Sequence, residues 1–65
     1  MSNYIYFVSY SFSALGYHGF GNCEHNSAYK ITTIDQVYKI RELIKKSNPE
    51  YTEVVILNYQ LLRIV

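Results

Sequence analysis

Apolar residues along the chain fall into three blocks with the spacing of regular elements, separated by polar breaks. Residues 4–12 read Tyr-Ile-Tyr-Phe-Val-Ser-Tyr-Ser-Phe, rich in the aromatic and β-branched types that favour strands. Tyr4, Tyr6, Val8, Tyr10 and Phe12 share one face of this strand, and Ile5, Phe7, Ser9 and Ser11 share the other. Both faces are substantially apolar, which suits a central strand. Residues 13–19 contain Ser13, Gly16 and Gly19 and predict a turn. A second, weaker strand is predicted over 20–29. Gly21, Asn22, Asn26 and Ser27 are poor strand formers, and their polarity suits a sheet edge.

The helix signal covers residues 34–47. Thr33 is placed to cap the first turn, with Gln36 completing a capping box. Ile34, Val37, Ile40 and Ile44 follow helical spacing, and Leu43 widens the stripe. Asp35 lies in the first turn and Lys45 and Lys46 in the last, as the helix dipole favours. Asp35–Lys39 and Glu42–Lys46 are i,i+4 pairs of the favourable orientation. Ser47-Asn48-Pro49 stops the helix. Residues 53–62, Glu-Val-Val-Ile-Leu-Asn-Tyr-Gln-Leu-Leu, predict a closing strand.

These elements predict an α+β fold, β-β-α-β, in a single domain over residues 1–65. The first two strands pair as a hairpin. The helix then crosses the sheet, so the third strand meets the first antiparallel on its free side. The order is 2-1-3, with one amphipathic helix packed on one face of a three-stranded antiparallel sheet. Which face the helix covers is left open by the pattern. If it covers Ile5, Phe7 and Ser9, then Tyr4, Tyr6, Val8 and Tyr10 form an open aromatic patch, and such a patch marks an interface.

Composition sharpens this picture. A chain of 65 residues buries only about 60% of its unfolded surface, so its core needs help. Eight Tyr and three Phe supply that chain with rings suited to cores and contacts alike. The single cysteine, Cys23, cannot form an internal disulfide, whereas a secreted domain of this size normally carries several. With no signal-like segment and no apolar run of membrane-spanning length, the expected setting is the cytoplasm, away from membranes. A net charge of +1 gives no broad attraction to nucleic acid.

Candidate chemistry is sparse. His18, Cys23 and His25 could be nominated as metal ligands, but their spacing fits no zinc template, and two loop histidines with a free thiol is the better reading. Cys23 as a nucleophile lacks an identifiable orienting group or oxyanion hole. The expectation is therefore a protein that is not an enzyme and carries no cofactor or metal. Gly19-Phe20-Gly21 has the Gly-aromatic-Gly core of a base-stacking strand motif, without its basic and aromatic flanks. The simpler reading is that the glycines bend the strand and Phe20 packs between them. Lys39, Arg41, Lys45 and Lys46 share the helix exterior with Asp35 and Glu42, as a solvated face would.

The blocks Phe7-Val8-Ser9-Tyr10-Ser11-Phe12, Gly19-Phe20-Gly21-Asn22 and Val54-Val55-Ile56-Leu57-Asn58-Tyr59-Gln60 resemble short uncharacterised proteins of phages and prophages of Gram-positive bacteria. The likeness extends over nearly the whole chain. It implies a mobile-element accessory protein, a class whose members often bind and block or redirect a host factor, defence systems included. It carries no named activity and no catalytic residues.

Three functional readings follow. The first is a small interaction protein that binds a host protein and forms a homodimer or higher oligomer, using Tyr4, Tyr6, Tyr10, Tyr17, Phe20 and Tyr59 as its aromatic contact surface. The second is single-stranded nucleic-acid binding on an aromatic sheet platform, disfavoured by the low net charge. Capture of a small nucleotide signal between protomers is a third.

Overall fold

A computed structural model describes residues 2–65. Strand β1 spans Tyr4–Ala14, β2 spans Tyr17–Ser27, helix α1 spans Ile34–Ser47 and β3 spans Tyr51–Ile64. The sheet order is β2-β1-β3 with both pairings antiparallel, so the fold is α+β with the aromatic strand in the centre.

The hairpin is tighter than the sequence predicts. Ala14 pairs with Tyr17, leaving Leu15 and Gly16 as the loop. Gly16 adopts φ +88°, which a side chain would resist, and it is the only described residue with positive φ. One permissive glycine suffices for the reversal, so β2 starts three residues earlier than the glycines suggest and ends at Ser27.

Gly19 and Gly21 belong to the body of β2, and their role is to make room. In register, Phe12 lies opposite Gly19 and Tyr10 opposite Gly21. A Cβ on Gly21 would stand 2.7 Å from the Cζ and Oη of Tyr10, and one on Gly19 would stand 3.1 Å from the Cζ of Phe12. The rings of β1 thus lie across the bare backbone of β2. Phe20 points to the opposite face and is exposed rather than packed between the glycines.

Helix α1 forms for the reasons its sequence carries. The Thr33 Oγ1 accepts from the Gln36 amide at 3.4 Å, and the Gln36 Oε1 accepts from the Thr33 amide at 3.0 Å. That side chain also accepts from the Thr32 amide and donates to the Lys30 carbonyl, tying the incoming loop to the first turn. At the far end Asn48 donates its amide and its Nδ2 to the Ile44 carbonyl. Glu42 pairs with its neighbour Arg41 at 3.3 Å instead of with Lys46, and Arg41 also lies over the ring of Tyr38.

The helix covers the Tyr6, Val8, Tyr10 face of β1. Val37, Ile40 and Ile44 meet those residues, with Ile31 and Val54 completing the buried cluster. Ile34 and Leu43, expected in the buried stripe, are exposed. The reason is the width of the contact: α1 lies nearest β3 and presents only a narrow stripe to the sheet. Ile34 consequently overhangs the outer side of β3, and Leu43 flanks β2.

β3 is two residues longer at each end than its predicted span and departs from a regular ladder. Its register with β1 slips at three places, leaving Thr52, Leu57 and Leu62 as the extra residues. Each slip exchanges the sides of the sheet to which later residues point. The Thr52 hydroxyl donates to the Ser13 carbonyl at 3.1 Å, which anchors the first.

Two stability measurements test this packing. Ile40→Ala should cost roughly 2–5 kcal/mol, seen as a large drop in denaturant midpoint, since Ile40 is almost wholly enclosed. Gly21→Ala should cost about 1–3 kcal/mol by overpacking against Tyr10. If Tyr10→Ala in the same chain does not relieve most of that cost, the glycine is not serving the ring.

Candidate interaction surface

The predicted aromatic surface divides into buried and exposed members. Tyr6 is 3% and Tyr10 8% exposed, both beneath α1. The Tyr6 Oη accepts from the Ile31 amide at 2.8 Å, so its hydroxyl is spent on holding the loop before the helix. Tyr10 sits within reach of Tyr51, and burial, then that neighbouring hydroxyl, push its pKa up. Tyr4 is half-buried near the end of the same face. These three do not line an open patch: the helix takes the aromatic side of β1 because that side offers the larger apolar area to cover.

The uncovered face is instead largely polar. From β1 it shows Phe7, Ser9, Ser11 and Ser13, with Asn22, Glu24 and Asn26 on one flank and Glu53, Asn58 and Gln60 on the other. Arg63 of β3 reaches Glu24 of β2 at 3.1 Å, crossing β1. Both side chains are half exposed, so the pair adds little stability. Ile5, on this side and opposite Arg63, is buried.

Tyr17, Phe20 and Tyr59 are exposed. Tyr17 and Phe20 adjoin the turn, where Leu15 is 93% and Phe20 79% exposed. The turn is backed by stacked rings. Phe12 lies on Tyr51 with centroids 4.1 Å apart and planes within 13°. Tyr17 meets Phe12 edge-on at 6.1 Å. Tyr59 stands apart, against Tyr6 at 6.0 Å and 71° on the helix side of β3. The six candidates therefore separate into a core pair, Tyr6 and Tyr10, with half-buried Tyr4 beside it, a hairpin tip, Tyr17 and Phe20, and one residue on the β3 edge, Tyr59.

A second apolar surface, not singled out from the sequence, follows β3. Leu57, Leu61, Leu62 and Ile64 are all exposed. The signal was present as nine consecutive uncharged residues, Val54 to Leu62. A regular strand would have turned alternate members inward. The bulges take Leu57 and Leu62 out of that alternation, while Leu61 and Ile64 stay on the helix face past the end of α1.

His18 and the Cys23–His25 pair lie on opposite faces of β2, so the three do not converge. Among the described residues no group of three His, Cys, Asp or Glu side chains is gathered as for a metal ion. Burial raises the Cys23 pKa, which disfavours the thiolate. No helix among the described residues is long and apolar enough to cross a membrane. No family model, curated protein or solved structure matches this chain.

One titration follows from the covered side of β2. His25 lies opposite Tyr6, and burial lowers its pKa. The folded state thus resists a proton that the unfolded chain accepts near its ordinary value of about 6.5. Stability from this source is complete above that value and is lost as pH falls through it towards the folded value. The melting temperature should therefore fall as the pH drops below about 6.5. His25→Gln should flatten that slope; an unchanged slope would assign it to another group.

Proposed function

We propose that this chain is a small non-catalytic interaction protein of the mobile-element accessory kind. It works in the host cytosol by binding one host protein, a defence factor among the candidates, and blocking or redirecting it. The observation that carries this reading is the hairpin tip. Leu15, Tyr17 and Phe20 stand out from a tight turn that Phe12 and Tyr51 support from behind. Tyr17 is braced edge-on by Phe12, and an aromatic side chain so held loses little entropy on entering a partner's pocket; Leu15 and Phe20 add exposed apolar surface beside it, of the kind that dominates interface energies.

The same geometry weighs against a nucleic-acid platform. Stacking needs open rings on the sheet, and the main tyrosine row lies under α1. Phe7 and Phe20 are the β1 and β2 rings left on the open face, among serine, asparagine and glutamate. With a net charge of +1, little phosphate attraction is available to compensate.

The test is capture from the cytosol of a Gram-positive host with the wild-type chain and with Leu15→Ser/Phe20→Ser as baits. One host protein should be retained in near-equal amount and bind again when purified. The double substitution should weaken that binding at least about tenfold, as loss of central anchors does, while leaving the melting temperature unchanged. Retention of only nuclease-sensitive material, or of a partner indifferent to the double substitution, would defeat the reading.

A further inference from the structure

β3 is an edge strand, so its outward N–H and C=O groups have no strand beside them. Sheet edges normally carry charge, proline or glycine against unwanted pairing. The other edge, β2, does so with Gly19, Gly21, Asn22 and Glu24. β3 carries neither charge nor proline between Glu53 and Arg63. We propose that two copies of this chain join edge to edge through β3, antiparallel about a twofold axis at Tyr59, forming one continuous six-stranded sheet.

The bulges restrict the axis, and the residues set opposite one another choose among the registers that remain. Directly opposed residues in an antiparallel pair must point to the same side of the sheet. β3 changes sides at Leu57 and at Leu62, which restricts the registers that satisfy this. With Tyr59 on the axis, Asn58 opposes the second copy's Gln60, and Val55 opposes its Arg63, all on the open face. Val54 opposes Ile64, both on the helix face. The two irregular residues then meet apolar ones, Leu57 against Leu61 and Leu62 against Ile56. Moving the axis to Asn58 would set Ile56 against Gln60 from opposite faces. Charge agrees with the antiparallel sense: Glu53 of one copy comes diagonal to Arg63 of the other, whereas a parallel seam would align like with like.

Packing supplies the occupant's fit. Between α1 and the free edge of β3 runs a groove of about 440 Å³, lined by Ile34, Val37 and Tyr38 on the helix and by Val54 and Ile56 on the strand, together with four charged residues of the same two elements. It has no strand of its own chain to fill it. In the same chain Leu61 and Ile64 lie on the helix face beyond the reach of α1 and are exposed. In the proposed register the second copy's Ile64 comes beside Val54 and its Leu61 beside Leu57. Each copy therefore sets its uncovered end into the other's groove. The helices lie over opposite halves of the seam and do not compete for space. A closed twofold contact also consumes both β3 edges, leaving only the polar β2 edges outside.

The pairing is independent of what the hairpin tip binds. Sedimentation of the wild-type chain should give a dimer at tens of micromolar, with a melting temperature that falls on dilution. Leu57→Lys/Leu62→Lys should shift it to monomer by at least about tenfold in dissociation constant, since it buries charge at the seam. Tyr59→Cys in a Cys23→Ser background should crosslink to a covalent dimer under mild oxidation, because axial residues alone oppose themselves. Hydrogen exchange on the unmutated chain keeps the test open if a variant unfolds: β3 amides should be protected at high concentration and lose that protection on dilution. A monomer with concentration-independent melting overturns the proposal. So does a dimer that survives Leu57→Lys/Leu62→Lys, or one dissociated by Phe7→Ser, which would place the contact on the open face.

Discussion

The helix is too short for the sheet beneath it. Fourteen residues reach about 21 Å, while the molecule is 42 Å long. The capping box at Thr33 and the stop at Asn48-Pro49 fix that length from both ends. The buried cluster accordingly gathers around Val8, Ile40 and Val54, in the stretch the helix can reach. Outside that stretch the sheet must either cover itself or remain open. At the hairpin end it covers itself with stacked rings. At the Tyr4–Ile64 end it leaves apolar side chains in water.

Self-covering at the hairpin end depends on glycine. Tyr10 and Phe12 are too large to stand upright beside ordinary β2 side chains, so they lie down over Gly21 and Gly19. The cost is a strand with weak intrinsic propensity. The gain is a second use for the same rings, which pack against α1 and Tyr51 on one side and shield the β2 backbone on the other. A strand poor by composition is thus held by its partner's side chains, as cross-strand aromatic contacts with glycine allow. β2 ends up both paired and polar at its outer side, and β3 is left as the edge without such protection.

Legibility in the sequence followed the range of the interactions involved. The helix could be read because its cap, stripe and stop are local. The order 2-1-3 could be read because short connections and one doubly apolar strand leave few alternatives. The helix-covered face could not, since β1 is apolar on both sides and the choice depends on what β2 and β3 add. Placing Tyr6 and Tyr10 in the candidate contact surface erred for that reason: a tyrosine row looks the same in sequence whether its hydroxyl meets water or the Ile31 amide. Tyr17 was legible as a surface ring; Phe20 read both as a contact residue and as packed between its glycines, and Leu15 was not legible, since nothing local marks a leucine for the second position of a turn. The exposure of Leu57 and Leu62 rests on register slips, which leave no mark in a strand uniformly rich in apolar residues.

The two apolar surfaces have different consequences for binding. A hairpin tip offers a few preformed side chains and suits a pocket, where affinity depends on anchors more than on area. A strand edge offers main-chain hydrogen bonds in a row and suits another strand, where register depends on the pattern of faces. Joined antiparallel at Tyr59, two copies would carry their tips at opposite ends of the long axis, pointing away from one another. Both tips could then engage one target only if that target repeated its pocket across a matching distance and symmetry. Otherwise each dimer would link two target molecules. In the first case the rigid sheet would act as a spacer that raises the effective concentration of the second tip. In the second it would bring together two host proteins through a scaffold whose length is set by the strands and not by a flexible linker.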